Sequence, residues 1–291
     1  MAVSVVTRRW AFAVAIVGVV LAITAGLVLT QLPVIGAGGL LHPARTRVVG
    51  AAPDTCSDAS FAGAGVTLKG WRCSANGVRR GTIVYLHGIA DNRTSSRGVI
   101  GRFGRRGFDV IAYDSRGHGE SGGTACTYGF LEKHDLHDVL DTIRSGPIVL
   151  LGTSLGAAVA LQEAAGDTRV TAVIAAETFS DLRTIASERA PFFFTKGTIR
   201  RSFQLAEEQG HFDVDAVSPE HAAAAITVPV LLVHGAMDID TPPDHSQRVF
   251  AALKGPKRLI LVPNAGHNGS LRPEVWDEID RWIDQVIASA T

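Results

Sequence analysis

Six short runs of nearly unbroken apolar residues punctuate the chain, at 82–86, 110–113, 148–151, 170–175, 230–233 and 259–262. Each is too short for an ordinary helix and is rich in Val, Ile or Leu. Strands read this way when helices cover both faces of a parallel sheet. A further run at 66–71 reads as an early strand. Longer stretches between them carry apolar residues at helical spacing. In 130–144, Leu131, Leu136, Val139, Leu140 and Ile143 fall near one face, and 155–165, 244–253 and 273–287 also fit helices. Strand–helix alternation predicts an α/β domain over 61–291, built on a doubly wound, mostly parallel sheet.

Two regions break that rhythm. Residues 182–226 hold the cluster Phe192-Phe193-Phe194 and a helix candidate at 199–209. An insertion here would sit over the carboxyl edge of the sheet, where ligands bind in open α/β folds, and would form a small helical cap. The alternative is a loop whose aromatics fill the core. The second region is the N-terminus. Residues 10–29 are uncharged and dense in Ala, Val, Ile and Leu. At about 1.5 Å per residue they match a hydrocarbon core of roughly 30 Å. We read 1–41 as an uncleaved membrane anchor, with a cleaved signal peptide as the alternative, and 42–60, in ground rich in Gly, Ala and Pro, as a linker. Arg8 and Arg9 favour a cytoplasmic N-terminus and an exported domain; Arg45 and Arg47 weaken that vote.

Charge narrows the partners. Lys plus Arg and Asp plus Glu number 28 each, so the formal net charge is zero. Nucleic-acid binders usually carry a basic excess or stripe, so none is expected as a partner. Cys56 and Cys73 flank a short segment and fit a disulfide in an oxidising compartment. Unrelated thiols, with Cys126 as the third, are the equal alternative.

Gly152-Thr153-Ser154-Leu155-Gly156 carries the chemistry. It follows a buried strand and opens an Ala-rich helix, the context of a G-x-S-x-G nucleophile elbow. A serine hydroxyl needs a base within hydrogen-bond reach. Among ten histidines, His267 lies just past the last strand and before the terminal helix, in a loop able to approach Ser154. His87 and His234 each end a strand as His-Gly and read as turn formers. His134, His137, His211, His221 and His245 fall on helical or cap segments. His134, Asp135, His137 and Asp138 resemble a metal cluster only superficially, because adjacent helical residues point apart; no metal is expected. A carboxylate should orient the imidazole. Asp238, Asp240 and Glu177 all lie beyond the ends of strands. Choosing Asp238 gives the order serine, acid, histidine.

These motifs together resemble the α/β-hydrolase superfamily over roughly 66–287. Within it the chain is similar to N-terminally anchored serine hydrolases related to esterases, monoacylglycerol lipases and prolyl-oligopeptidase-like catalytic domains. Leu86-His87-Gly88 resembles the His-Gly loop after the third strand, which implies that the backbone amide of Ile89 joins that of Leu155 in an oxyanion hole. Asp114-Ser115-Arg116-Gly117-His118-Gly119-Glu120-Ser121 resembles the D-x-R-G-x-G-x-S segment, a structural loop. His234 to Pro242 resembles H-G-x-x-D-x-x-V-P, with Thr241 in place of Val. In that motif the aspartate stands four positions before the proline, which favours Asp238 over Asp240. The resemblance implies acyl transfer by Ser154, His267 and Asp238 without metal or organic cofactor. The substrate is expected to be a carboxylic ester, lipid-derived in view of the anchor. Amide or peptide hydrolysis on the same triad is the alternative, and a non-catalytic binding protein on this fold a further one.

Overall fold

The computed structural model describes residues 2–290, with side-chain surroundings for 10–24 and 26–289. Eight strands form one sheet: β1 (Cys56–Gly63), β2 (Val66–Cys73), β3 (Gly81–Leu86), β4 (Phe108–Tyr113), β5 (Ile148–Thr153), β6 (Val170–Ala176), β7 (Val230–Gly235) and β8 (Lys257–Val262). Their spatial order is β1-β2-β4-β3-β5-β6-β7-β8. The β1–β2 and β2–β4 pairs are antiparallel, and every pair from β4 to β8 is parallel. Order reverses between β3 and β5, so the loops after these two strands leave the same edge side by side.

The unbroken apolar runs follow from two-sided burial. Val84, Leu86, Leu150 and Leu232 point into one core, while Ile83, Tyr85, Val149, Leu151, Leu231 and Val233 point into the other. Helices α3 (Glu132–Leu140), α4 (Leu155–Ala164), α7 (Pro219–Ala223) and α8 (Asp244–Ala252) accompany the first face; α2 (Arg97–Arg105) and α9 (Pro273–Ala290) cover the second. In α9, Pro273 stands at the start and Val275, Ile279, Trp282, Ile283 and Ile287 bury one stripe. Every residue of α4 is buried, which explains its Ala-rich, non-amphipathic sequence.

Of the stretch 42–60 read as a linker, 42–55 carries no helix or strand and 56–60 belong to the first strand. β1 begins at Cys56, pairs with β2 over its whole length, and is joined to it by a Cys56–Cys73 disulfide. Its sequence is polar and small because only Phe61 is buried. Cys126 is a buried free thiol.

Residues 182–226 hold three helices, α5 (Leu182–Glu188), α6 (Lys196–Gly210) and α7, rather than the single helix the sequence suggested. Each begins on a side-chain cap: Asp181 accepts from the Thr184 N–H, Thr195 from Thr198 and Ser218 from His221. Helix α1 runs unbroken over Ala2–Leu41, through Pro33, and is long and apolar enough to cross a membrane. Its C-terminal end is not free. Ala37 and Leu41 pack with Phe203, Ala206 and Phe212 in a third core. Leu41 O accepts from the Cys126 N–H at 2.8 Å and Leu40 O from the Tyr128 hydroxyl at 3.0 Å, so carbonyls left over at the helix end find partners.

Candidate active site

β3, β5, β6, β7 and β8 deliver Ile89, Ser154, Glu177, Asp238 and His267 to the carboxyl edge of the sheet. Ser154 occupies the sharp turn between β5 and α4, at φ 49° and ψ −112°. A non-glycine residue at positive φ costs about 1–3 kcal/mol and persists only where its surroundings fix it. Here the Ser154 N–H donates to Ala176 O at 2.8 Å. Gly156 permits the turn to sit against β3, because a Cβ there would lie 2.2 Å from Leu86 O.

The His267 ring bridges two of the sequence candidates. Its Nε2 lies 3.1 Å from Ser154 Oγ and its Nδ1 2.7 Å from Asp238 Oδ2. The other Asp238 oxygen accepts from the N–H groups of Asp240 at 3.0 Å and Thr241 at 2.9 Å. Burial works against the Asp238 carboxylate, but hydrogen bonds from His234, His267 and the Thr241 amide outweigh it and hold its pKa well below the usual range. For His267, burial opposes the charged ring. The hydrogen bond and charge of Asp238 win, and its pKa is raised above 6.5. A carboxylate held ionised thus faces an imidazole whose charged form it stabilises.

Asp240 and Glu177 stand elsewhere. Asp240 is exposed, and its carbonyl accepts from Arg189 Nε at 2.6 Å. Glu177 is buried, at φ 58°, and accepts from the amides of Asn268 at 2.6 Å and Ser270 at 3.0 Å. It therefore clamps the loop that carries His267 through backbone amides, and its charge adds to the raising of the His267 pKa. Its position directly after β6 was visible in the sequence; its target, a loop far along the chain, was not.

Neither the Ile89 nor the Leu155 amide is taken by an acceptor among the described residues. Leu155 opens α4, where N–H groups have no helical partner. His87 Nε2 accepts from the Ser115 amide at 2.9 Å, so its Nδ1 donates to Gly88 O at 2.7 Å. Burial first, then the neighbouring His118, lower its pKa to about 4. The neutral ring fixes the turn that leads into Ile89. Asp114 accepts from the amides of Arg93 and Glu120 and pairs with the buried Arg93 side chain, a bracing role for the 114–121 loop.

Two cavities meet at Ser154 and Ile89. One, of about 460 Å³, is apolar and lined by Leu155, Phe179, Leu182, Ile185, Phe194 and Phe203, together with Ile35, Gly36 and Leu40 of α1. The α1 residues were assigned to the anchor alone by the sequence. The other, of about 590 Å³, is polar and lined by Asp91, Glu188, Arg189, Asp240, His267 and Asn268. Of the three phenylalanines, Phe194 lines the apolar cavity, whereas Phe192 is 99% exposed and Phe193 54%. His137, Glu163 and Asp167 come together away from this edge, but Arg169 already sits among them, 2.5 Å from Asp167 and 3.2 Å from His137.

The sequence pattern of the alpha/beta hydrolase family matches residues 83–279, from β3 into α9. The chain belongs to this family. The hydrolase is 30% identical over 216 residues to the uncharacterized protein YfhR of Escherichia coli and, separately, to the uncharacterized protein YqkD of Bacillus subtilis, covering 70% of each chain in both comparisons. Among solved structures it is similar to an esterase of Pyrococcus furiosus, with a TM-score of 0.65 at 22% identity over 85% of this chain and 98% of that one. It also resembles an acylaminoacyl peptidase of Pyrococcus horikoshii, with a TM-score of 0.62 at 15% identity over 80% of this chain and 41% of that one. These structural likenesses carry the fold.

Proposed function

We propose that this hydrolase cleaves a carboxylic ester through an acyl-enzyme on Ser154. The reading is carried by the relay from Ser154 Oγ through the His267 ring to Asp238. Ser154 attacks the ester carbonyl as His267 Nε2 takes the hydroxyl proton. Asp238 holds the proton on Nδ1 and stabilises the imidazolium. The amides of Ile89 and Leu155 receive the tetrahedral oxyanion, and the N-terminus of α4 adds favourable potential there. His267 then protonates the departing alkoxide. Water, activated by the same ring, releases the acid.

An ester with an apolar acyl part and a polar alcohol matches the two cavities. The 460 Å³ cavity takes the acyl chain, and the side with Asp91, Arg189 and Asp240 takes the alcohol. Helices α5 to α7 act as the cap that closes the acyl side. We further propose that α1 anchors the enzyme in a membrane, with the catalytic domain outside the cytoplasm. The disulfide, with Arg8 and Arg9 ahead of the span, supports that orientation. Purified full-length enzyme should label with a fluorophosphonate and hydrolyse p-nitrophenyl esters with a distinct chain-length optimum. Phe194→Ala should move that optimum towards longer chains. Efficient cleavage of acyl-peptide anilides with negligible ester turnover would overturn the ester reading.

The pH profile supplies a separate check. His267 must be neutral to act as base, so activity is lost as pH falls through its free-enzyme pKa. Because that pKa is raised, the acid limb of kcat/KM should lie above pH 6.5. In Asp238→Asn the larger raising influences are gone, burial remains and only the weaker pull of Glu177 opposes it, so the limb should move down. An acid limb that stays where it is in Asp238→Asn would contradict the coupling of His267 to Asp238.

A further inference from the structure

The exposed apolar residues around the acyl cavity are not scattered. Phe192, Phe193 and Phe194 form a string of edge-to-face rings with centroids 5.4 Å apart at each step. The string runs from full exposure at Phe192 to the cavity wall at Phe194. Its inner end lies against α1, because a Cβ on Gly36 would come within 2.9 Å of the Phe194 ring. On α1 itself, Ile35 lines the same cavity yet is 59% exposed, and Val34 beside it is 49% exposed. The cavity therefore reaches the surface where α1 meets the 191–194 turn, and that rim is apolar on both sides. Its neighbour along α1 is the uncharged stretch 10–29. Ile35 stands only six residues beyond Leu29, about 9 Å along a helix axis, which is the depth of a headgroup layer rather than of bulk water. Lys196 and Arg200, exposed just past the turn, suit the phosphate level of such a layer. An exposed apolar patch continuous with both a span and a cavity fits a lipid surface.

Resting on the ester reading above, we propose that the rim of Val34, Ile35, Phe192 and Phe193 lies in the headgroup–acyl boundary of the membrane entered by α1, and that a membrane-resident, single-chain ester passes between α1 and the 191–194 turn into the acyl cavity without crossing water. Helix α1 is then both the anchor and one wall of the substrate passage. A single chain follows because, among the described residues, one side of Ser154 opens on the apolar cavity and the opposite side on the polar one.

The test uses the full chain reconstituted into phosphatidylcholine vesicles. Phe192 and Phe193 do not line the cavity, so Phe192→Ser/Phe193→Ser should leave turnover of p-nitrophenyl acetate, added from water, unchanged. Turnover of monooleoylglycerol dispersed in the same bilayer should fall by about tenfold or more. In parallel, the added fluorescence of Phe192→Trp, read against wild type, should be quenched by phosphatidylcholine brominated on its acyl chains. Equal loss on both substrates, or no loss on either, would overturn the proposal, as would an unquenched signal from the introduced indole, including one masked by self-association of the protein. Failure of wild type to turn over p-nitrophenyl acetate would instead sink the ester reading, and the quenching measurement would still decide where the rim sits.

Discussion

Asp238→Asn is expected to lower turnover by about four orders of magnitude while the fold survives. The substitution keeps the size of the side chain and leaves an oxygen to accept from the Asp240 and Thr241 amides. What changes is the atom facing His267 Nδ1. An amide nitrogen there offers a proton instead of accepting one, so the ring adopts the tautomer with its proton on Nε2. That nitrogen then points a proton at Ser154 Oγ, 3.1 Å away, and is unable to remove one. The charge that stabilises the imidazolium is lost in the same step. Asp240→Asn, on an exposed side chain, should stay near wild type. Glu177→Gln should lower turnover by about tenfold and also cost about 1–3 kcal/mol of stability, because one of the two amides it accepts is left facing an N–H group. Kinetics of the three variants at one pH, with thermal melts, decide the matter. Near-wild-type turnover of Asp238→Asn beside a collapse in either of the others would reassign the acid.

Ser154→Ala should reduce turnover by about a millionfold and abolish fluorophosphonate labelling. The other parts of the site remain, so the residual rate would reflect the proposed oxyanion amides and binding alone. Little stability is at stake. Alanine adopts the φ of 49° at a cost similar to serine, and the lost contact is one hydrogen bond to a partly exposed ring. The melting midpoint should therefore stay within about two degrees of wild type. Persistent labelling of the alanine variant, mapped by peptide mass spectrometry to another residue, would remove Ser154 from the mechanism.

The sequence made the interior of the fold legible and its margins poorly so, for physical reasons. Parallel strands buried on both faces must be continuously apolar, and all six such runs became β3 to β8. Ser154, His267 and Asp238, which the structure brings within hydrogen-bond reach of one another, could be singled out because turns at strand ends leave short local signatures. Helix α2 was missed because Gly98, Gly101 and Gly104 depress its propensity; Val99, Ile100 and Phe103 hold it by packing. Helices α5 and α7, of 7 and 5 residues, are too short to show a period. β1 is an edge strand with one buried side chain, and its pairing and disulfide are long-range facts. The same holds for Glu177 and for the α1 wall. Their partners lie far along the chain, and no local pattern announces them.

Helix α1 passes without a break from its apolar stretch to residues that pack in the third core. Many tethered domains hang from their span on a slack string and tumble above the surface. A continuous helix behaves instead as a ruler and a compass needle. On the proposed anchoring of α1, each residue inserted between Leu29 and Leu32 would move the serine about 1.5 Å further from the span and swing the whole domain by roughly 100° about the axis, so that three or four together restore its bearing at a new height. With α1 seated in a membrane as proposed, length and facing are thus geared to one another, and only whole turns could be added or lost without turning the domain.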